Sequence, residues 1–291
     1  MPQKLPRRTF LKTIALAGAG AALGFDGVHE VSELKVETRD IHLRRLPASF
    51  DGFRLAQLSD IHFTEFMTRD RLERIVSAVN AQQADLVVLT GDYVTALWTR
   101  NHEVCARDAW PCAEVLRDIK ARRGQVAVLG NHDCNTDARV VSEALTANQI
   151  QVLRNRSIPI EAGGARFWLA GMDDVLEGKP DPEAMLRGIP PTECVIAAIH
   201  EPDCADDMRK YAIDLQLSGH SHGGQVCLPL AGPLYLPPGA KKYPMGYYDL
   251  GPLQLYTNRG IGVIHVPVRF LCLPELTVFT LRSGQKTRQL A

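Results

Sequence analysis

The chain has 291 residues, 45% of them apolar and 23% charged, with 33 Lys and Arg balanced by 33 Asp and Glu. This is ordinary globular composition, long enough for a sizeable core in one large domain or two small ones. The even balance argues against a nucleic-acid-binding surface, and the lack of charge runs against an extended interaction tail.

The first element in chain order is a targeting segment. "LPRRTFLKTIALAGAGAALGF" sets Arg7, Arg8 and Lys12 ahead of a Gly/Ala-rich apolar stretch over 13–25. The stretch is too short and glycine-rich for a membrane span, and its basic-then-apolar order is that of an export signal. The arginine pair followed by Phe-Leu-Lys is of twin-arginine type. The alternative is the basic amphipathic start of a cytosolic protein. The signal reading implies residues 1–24 as the segment, the twin-arginine export machinery as a partner, and a destination in the periplasm or cell envelope. Ala22-Leu23-Gly24 is a poor cleavage site, and an uncleaved segment would tether the chain to the membrane.

Beyond residue 35 there is no repeat, low-complexity tract or linker, which predicts a single domain over 25–291. "ELKVETRDIHL" and the apolar run at 53–58 read as neighbouring strands. "TRDRLERIVSAVNAQQ" places Leu72, Ile75, Val76 and Val79 on one helical face. The continuous apolar run of "DLVVLTGD" suits a buried strand. "DAWPCAEVLRDIKARRG" reads as a helix leading to a strand in "QVAVLGNHD", and "DARVVSEALTANQ" as a helix leading to "IQVL". This alternation defines an α/β class. "IPIEAGGARFWLAGMDD" predicts a hairpin. "ECVIAAIHEPD" and "DLQLSGHSH" are further strands, with a helix near 203–210 between them. The Gly/Pro-rich stretch at 227–262 reads as irregular loop, with part of it over the site or at the surface, and "LPELTVFTL" as a last strand.

Five of these strands end in polar clusters: Asp60 and His62; Asp92; Asn131, His132 and Asp133; His200; and His220 with His222 in "SGHSHGGQ". The carboxyl ends of strands are where α/β sheets build sites. Carboxylates, imidazoles and one amide without a thiolate suit Mn, Fe or Zn. The ligands suffice for two ions if one carboxylate bridges, and two ions roughly 3.5–4 Å apart serve phosphoryl displacement. None of the seven cysteines forms a CxxC pair, so a thiolate zinc site has little support.

The series Asp60-x-His62, Gly91-Asp92, Gly130-Asn131-His132-Asp133, His200 and Gly219-His220-x-His222 resembles the calcineurin-like metallophosphoesterase superfamily. The signal, "GHSHGGQ" and "NRGIGVIHVPVRFLCLPEL" resemble its exported bacterial branch, related to a twin-arginine-dependent cell-wall enzyme. That resemblance implies a two-sheet sandwich flanked by helices, in four layers α/β/β/α. It implies two divalent ions, the first on Asp60, His62 and His222, the second on Asn131, His200 and His220, with Asp92 bridging. His132 would be the general acid, oriented by Asp133, while a metal-bridging hydroxide attacks a phosphoester. A phosphodiester of the cell envelope is the expected substrate. A phosphomonoester, or the pyrophosphate of a nucleotide-linked lipid, would suit the same site. A reading of another class is a metal-stabilised envelope binding protein without turnover. "GDYVTALW" departs from the protein-phosphatase branch, which carries an arginine there. Arg69, Arg100, Arg259 and above all Arg269 are the candidates to meet phosphate, with a salt-bridging role as the alternative. His102, His265, Trp98 and Trp110 are expected to pack or lie exposed.

Overall fold

A run such as Leu86-Val87-Val88-Leu89 is satisfied only when both faces of the strand are covered. A computed structural model, described over residues 31–96 and 100–284, shows how this is done. The first sheet takes β1 (Lys35–Leu43), β2 (Arg54–Leu58), β3 (Leu86–Leu89), β4 (Gln125–Ala127), β5 (Gln151–Val152) and β14 (Glu275–Ser283), in the order β1-β14-β2-β3-β4-β5. The second takes β6 (Arg156–Ala162), β7 (Ala165–Gly171), β8 (Val195–Ala198), β9 (Leu215–Ser218), β12 (Gly246–Asp249) and β13 (Gln254–Thr257), in the order β12-β13-β9-β8-β7-β6. A small hairpin, β10 (Cys227–Leu228) with β11 (Gly232–Pro233), belongs to neither. The targeting segment and Trp98 lie outside the described residues.

The period of two sorts side chains into three cores. Leu86 and Val88 of β3 point between the sheets, with Ile196 and Ala198 of β8 from the other side. Phe50, Phe53 and Phe167 stack edge to face in this middle layer. Val87 and Leu89 turn outward to the helices α1 (Arg69–Ala81), α3 (Ala109–Leu116) and α4 (Asn131–Ala147), while α2 (His102–Arg107) packs on α4. The stripe Leu72, Ile75, Val76 and Val79 of α1 is buried there, and Thr68 caps the helix by accepting from the Arg71 N–H. Outside the second sheet, Val195 and Ala197 meet Met185 and Met208 from the one-turn helices α5 (Pro182–Met185) and α6 (Ala205–Met208). The four expected layers are present, the last one thin.

Three features depart from expectation. β1 and β2 are not neighbours: β14 lies between them, parallel to β1 and antiparallel to β2. Two sequential strands give no sign that a third will come between them from the far end of the chain. The stretch 227–262 is not wholly irregular, for β12 and β13 complete the second sheet. At four residues each, between Gly and Pro, they are too short to show a period. Helix α4 starts at Asn131 and is broken at Asp137, whose φ is −163°. Asp137 caps the longer part by accepting from the Arg139 and Val140 N–H groups, which frees "GNHD" to form a separate turn facing the site.

Candidate metal centre

The strand-end loops of both sheets are laced together by backbone bonds. Asp60 donates to the Gly91 carbonyl at 3.0 Å, His62 to that of Asp92 at 3.0 Å, and Gly219 to that of His200 at 3.0 Å. His220 donates its N–H to both Asp60 carboxylate oxygens, at 3.0 and 3.1 Å. This lacing has a cost to offset. Asp60, His62, Asp92, His220 and His222 all have left-handed backbones, with φ between 48° and 66°. Such a conformation costs an L-residue about 1–2 kcal/mol and persists where surrounding bonds over-determine it. The glycines permit the close approach. A Cβ on Gly219 would lie 1.8 Å from Ser59 Oγ and 2.4 Å from Asp60 Oδ2, and one on Gly91 would lie 2.7 Å from His200 Nδ1.

All seven predicted ligands are delivered by these loops, and six of them fall into two groups. Ligand atoms of Asp60, His62 and His222 lie within 4.8 Å of one another, as do those of Asp92, His200 and His220. His62 Nε2 is 3.1 Å from His222 Nε2, which is 3.4 Å from Asp60 Oδ1. Asp92 Oδ2 stands 3.5 Å from His62 Nε2 and 3.2 Å from His200 Nε2, so one oxygen faces both groups. That oxygen, His200 Nε2 and Asn131 Oδ1 are buried without a hydrogen-bond partner, as is the second ring nitrogen of His222. Buried polar atoms are otherwise paired. Acceptors left bare beside one another fit a cation.

Outer contacts set the tautomers. His200 Nδ1 gives its proton to the Thr90 carbonyl at 2.6 Å, which leaves a lone pair on Nε2. His220 Nε2 gives its proton to the Pro238 carbonyl at 2.8 Å, which leaves a lone pair on Nδ1. His62 Nδ1 meets Thr95 Oγ1 at 2.9 Å. Such contacts fix ring orientation and ligand basicity. Thr90, Thr95 and Pro238 were not among the expected site residues. The two threonines flank Asp92 in "TGDYVT", a spacing that could have suggested them, whereas a proline carbonyl leaves no trace in residue type.

Burial pushes His62 down to about 3 and His220 to about 4, and holds His222 well below the ordinary imidazole range. These rings are neutral, as ligands must be. Burial raises Asp60 to about 6, with the Asp92 charge adding and His200 opposing. Burial would also raise Asp92, but His200, His132 and His62 outweigh it and hold that carboxyl well below its usual range. Against its own burial, His200 is raised by Asp92.

His132 sits as expected beside the ligands, its ring centroid 4.9 Å from that of His62. Its orientation comes from an unexpected source. The Ala96 N–H donates to His132 Nδ1 at 3.0 Å, placing the ring proton on Nε2, and the His132 N–H donates to Asp92 Oδ1 at 2.9 Å. Asp133 has a different task from the orienting of His132 expected above. Its Oδ2 accepts from Asp92 and Gly130, at 2.8 and 3.0 Å, and its Oδ1 from Tyr93 and Val94, at 2.9 and 3.2 Å. Burial and the Asp92 charge push this carboxyl toward about 8. Four converging N–H donors leave no lone pair for a proton, and the ionised form is the one this geometry binds.

The arginines are occupied elsewhere. Arg269 is fully buried and donates to the carbonyls of Arg259, Gly260, Gly262 and Cys272. It shapes the loop behind Asp60 and does not reach toward phosphate. Arg259 pairs with Glu275 and Glu37, Arg69 with Glu114, and Arg100 with Asp108. His102 bonds the Asn135 carbonyl, and Trp110 is exposed among Arg139, Arg154 and Arg156. The seven cysteines are free thiols.

Comparison with known proteins agrees with this chemistry. The family model for calcineurin-like phosphoesterase matches residues 53–224. An uncharacterized metallophosphoesterase, YkuE of Bacillus subtilis, is 36% identical over 97% of this chain and 99% of its own. The phosphodiesterase YaeI of Escherichia coli is 30% identical over 95% of this chain and 99% of its own. Among solved structures, a dimetal phosphatase from Danio rerio aligns over 72% of this chain and 88% of that one, at 12% identity and a TM-score of 0.45. On the domain match and the two full-length likenesses, the chain belongs to the calcineurin-like phosphoesterase family and is a metal-dependent hydrolase of phosphoester bonds.

Proposed function

We propose that this chain is an exported phosphodiesterase working with two divalent cations, of Mn, Fe or Zn type. The observation that carries the reading is Asp92 Oδ2, buried, unpartnered and within 3.5 Å of a histidine from each ligand group. Asp60, His62 and His222 would hold one ion, Asn131, His200 and His220 the other, and Asp92 would be shared. Bound there, such ions supply positive charge to the phosphoryl oxygens and make water a stronger nucleophile. His132 would then present its Nε2–H as a hydrogen-bond donor to the charge that builds on the departing oxygen, its ring steadied by the Ala96 N–H. Asp133 keeps Asp92 and the Gly130 turn in register through four backbone bonds.

The diester preference is supported by the phosphodiesterase name of the Escherichia coli relative. Export to the periplasm or envelope is supported by the arginine pair and apolar stretch of residues 7–25. The test is metal content measured beside hydrolysis of a bis-aryl phosphodiester and an aryl phosphomonoester. The reading expects about two ions per chain, chelator-sensitive turnover restored by Mn, and a faster diester. A faster monoester would overturn the substrate class. A single ion, retained in Asp92→Asn, would overturn the shared carboxylate. Two ions without turnover on either ester would favour a binding protein. For export, Lys-Lys in place of Arg7 and Arg8 should strand active enzyme in the cytoplasm, and unchanged export would point to another route.

A further inference from the structure

The apolar surface beside the metal centre has no account in the chemistry so far. It is built on Gln225, whose Nε2 donates to the carbonyls of Ile264 and Val266 at 3.2 and 3.0 Å while its Oε1 accepts from the Ile264 N–H at 2.9 Å. The Phe270 N–H donates to the Gln225 carbonyl, and the Cys227 N–H to that of Phe270. The β10–β11 hairpin and the 264–271 loop are therefore one unit. Its outward side chains are Leu228, Leu230, Leu234, Tyr235, Val266 and Leu271, all exposed, with Leu230 at the hairpin tip 109% exposed. Leu230 and Leu271 have φ of 65° and 51°, a region where glycine or asparagine is usual. Two leucines are thus kept in strained turns where they contribute nothing to any core. In water, polar residues would serve better at every one of these positions.

Two further observations say what covers this face. The unit adjoins the metal centre: it follows His222 directly, and the Pro238 carbonyl just beyond the hairpin accepts from His220. The chain also enters the fold on this side. Arg71 Nη2 bonds both the Val31 carbonyl and the Ile261 carbonyl, so residue 31 lies beside Ile261, three residues ahead of the 264–271 loop. The sequence ahead of it carries the apolar stretch over 13–25. The apolar loops adjoin the metal centre, and the first described residue of the chain lies close by. A projecting tip with one leucine wholly outside suits a fluid that closes around it, whereas a rigid partner would need a matching pocket. Tyr235 adds an amphipathic ring of the kind found at headgroup level.

We infer that this face docks onto a phospholipid bilayer, with the β10–β11 tip inserted at the headgroup–acyl boundary and the metal centre opening toward the membrane surface. Insertion is apolar in origin, and with zero formal charge on the chain it needs no anionic lipid. It does not depend on which phosphoester is cleaved.

The test uses the full chain carrying Leu230→Trp, mixed with zwitterionic phosphatidylcholine vesicles brominated in the acyl chains. The added indole should shift to the blue and be quenched, beyond the change seen in the parent chain, and high salt should not reverse it. Leu234→Trp provides a second position should the first variant fail to fold, with metal content as the check on folding. Leu230→Asp and Leu234→Asp should each weaken vesicle co-sedimentation on the order of tenfold. An unquenched indole on a chain that still co-sediments would overturn the proposal, because the N-terminal segment alone would then be anchoring it. So would concentration-dependent self-association abolished by Leu230→Asp, which would make the face a contact between copies. Quenching is read without turnover, so failure of the phosphodiesterase reading leaves this result intact.

Discussion

Replacing Asp133 with Asn separates two roles that this residue could play. The carboxylate accepts two N–H bonds on each oxygen, from Asp92 and Gly130 on one and Tyr93 and Val94 on the other. An asparagine keeps the shape but turns one oxygen into an NH2 group. Two buried N–H donors then face a donor, whichever way the amide is turned. Each orphaned buried donor costs about 1–3 kcal/mol, so Asp133→Asn should lose roughly 2–6 kcal/mol of stability. The loss should register in urea unfolding followed by circular dichroism, as a lower midpoint with an unchanged slope. In either orientation the displaced backbone lies within the Asp92–Val94 segment, so metal occupancy should drop as well. The His132 tautomer is held independently by Ala96, so the acid limb of the pH profile should not move in the fraction that retains metal. Unchanged stability, within about 0.5 kcal/mol, together with a shifted acid limb, would refute this account and return Asp133 to orienting His132.

The other expected outcomes are these. Cation affinity should fall as pH drops through about 6, because below it the raised Asp60 carboxyl holds a proton that the ion must displace. The slope should approach about tenfold per pH unit for each proton displaced, measured by chelator competition, and an affinity flat across this range would contradict it. Gly219→Ala drives a methyl to within 1.8 Å of Ser59 Oγ and 2.4 Å of Asp60 Oδ2. Elemental analysis should show loss of the ion on the Asp60 side, and full occupancy would show that the loop yields more easily than its lacing suggests. Arg269→Met strips the donor from four loop carbonyls and should cost about 3–5 kcal/mol in thermal or urea unfolding, whereas a raised KM with normal stability would make it a substrate contact after all. His132→Ala should keep its metal and lose on the order of 10²–10⁴ in kcat, and retained activity at full occupancy would remove it from the reaction.

The candidate ligands were legible in the sequence because each follows a strand whose apolar run is unmistakable, and because metal chemistry demands particular side chains. What surrounds them was less so. The proton positions on His200, His220 and His132 are set by the carbonyls of Thr90 and Pro238 and by the Ala96 N–H, and every residue has such groups. "NHD" suggested a carboxylate beside its histidine, yet the turn at Asn131–Asp133 points Asp133 back at the Asp92 loop. Arg269 looked available because arginine is seldom buried, and only the folded loop shows a cage of carbonyls around it. Helix α1 and the inner strands declared themselves by period, while β12 and β13 were too short and too close to proline to do so.

The place of β14 bears on how the molecule comes into being. The strand that joins β1 to β2 is the last of the described strands to be synthesised. Until it arrives, β1 has no partner and β2 presents an unpaired edge, the kind of surface on which nascent chains aggregate. The first sheet, and with it the loop carrying Asp60 and His62, closes only once Glu275–Ser283 has left the ribosome. A chain stopped short of Glu275 would therefore fail as an assembly and not merely lose a tail. Once closed, the fold holds the first and last of its described strands side by side along nine residue pairs from Lys35↔Glu275 to Leu43↔Ser283.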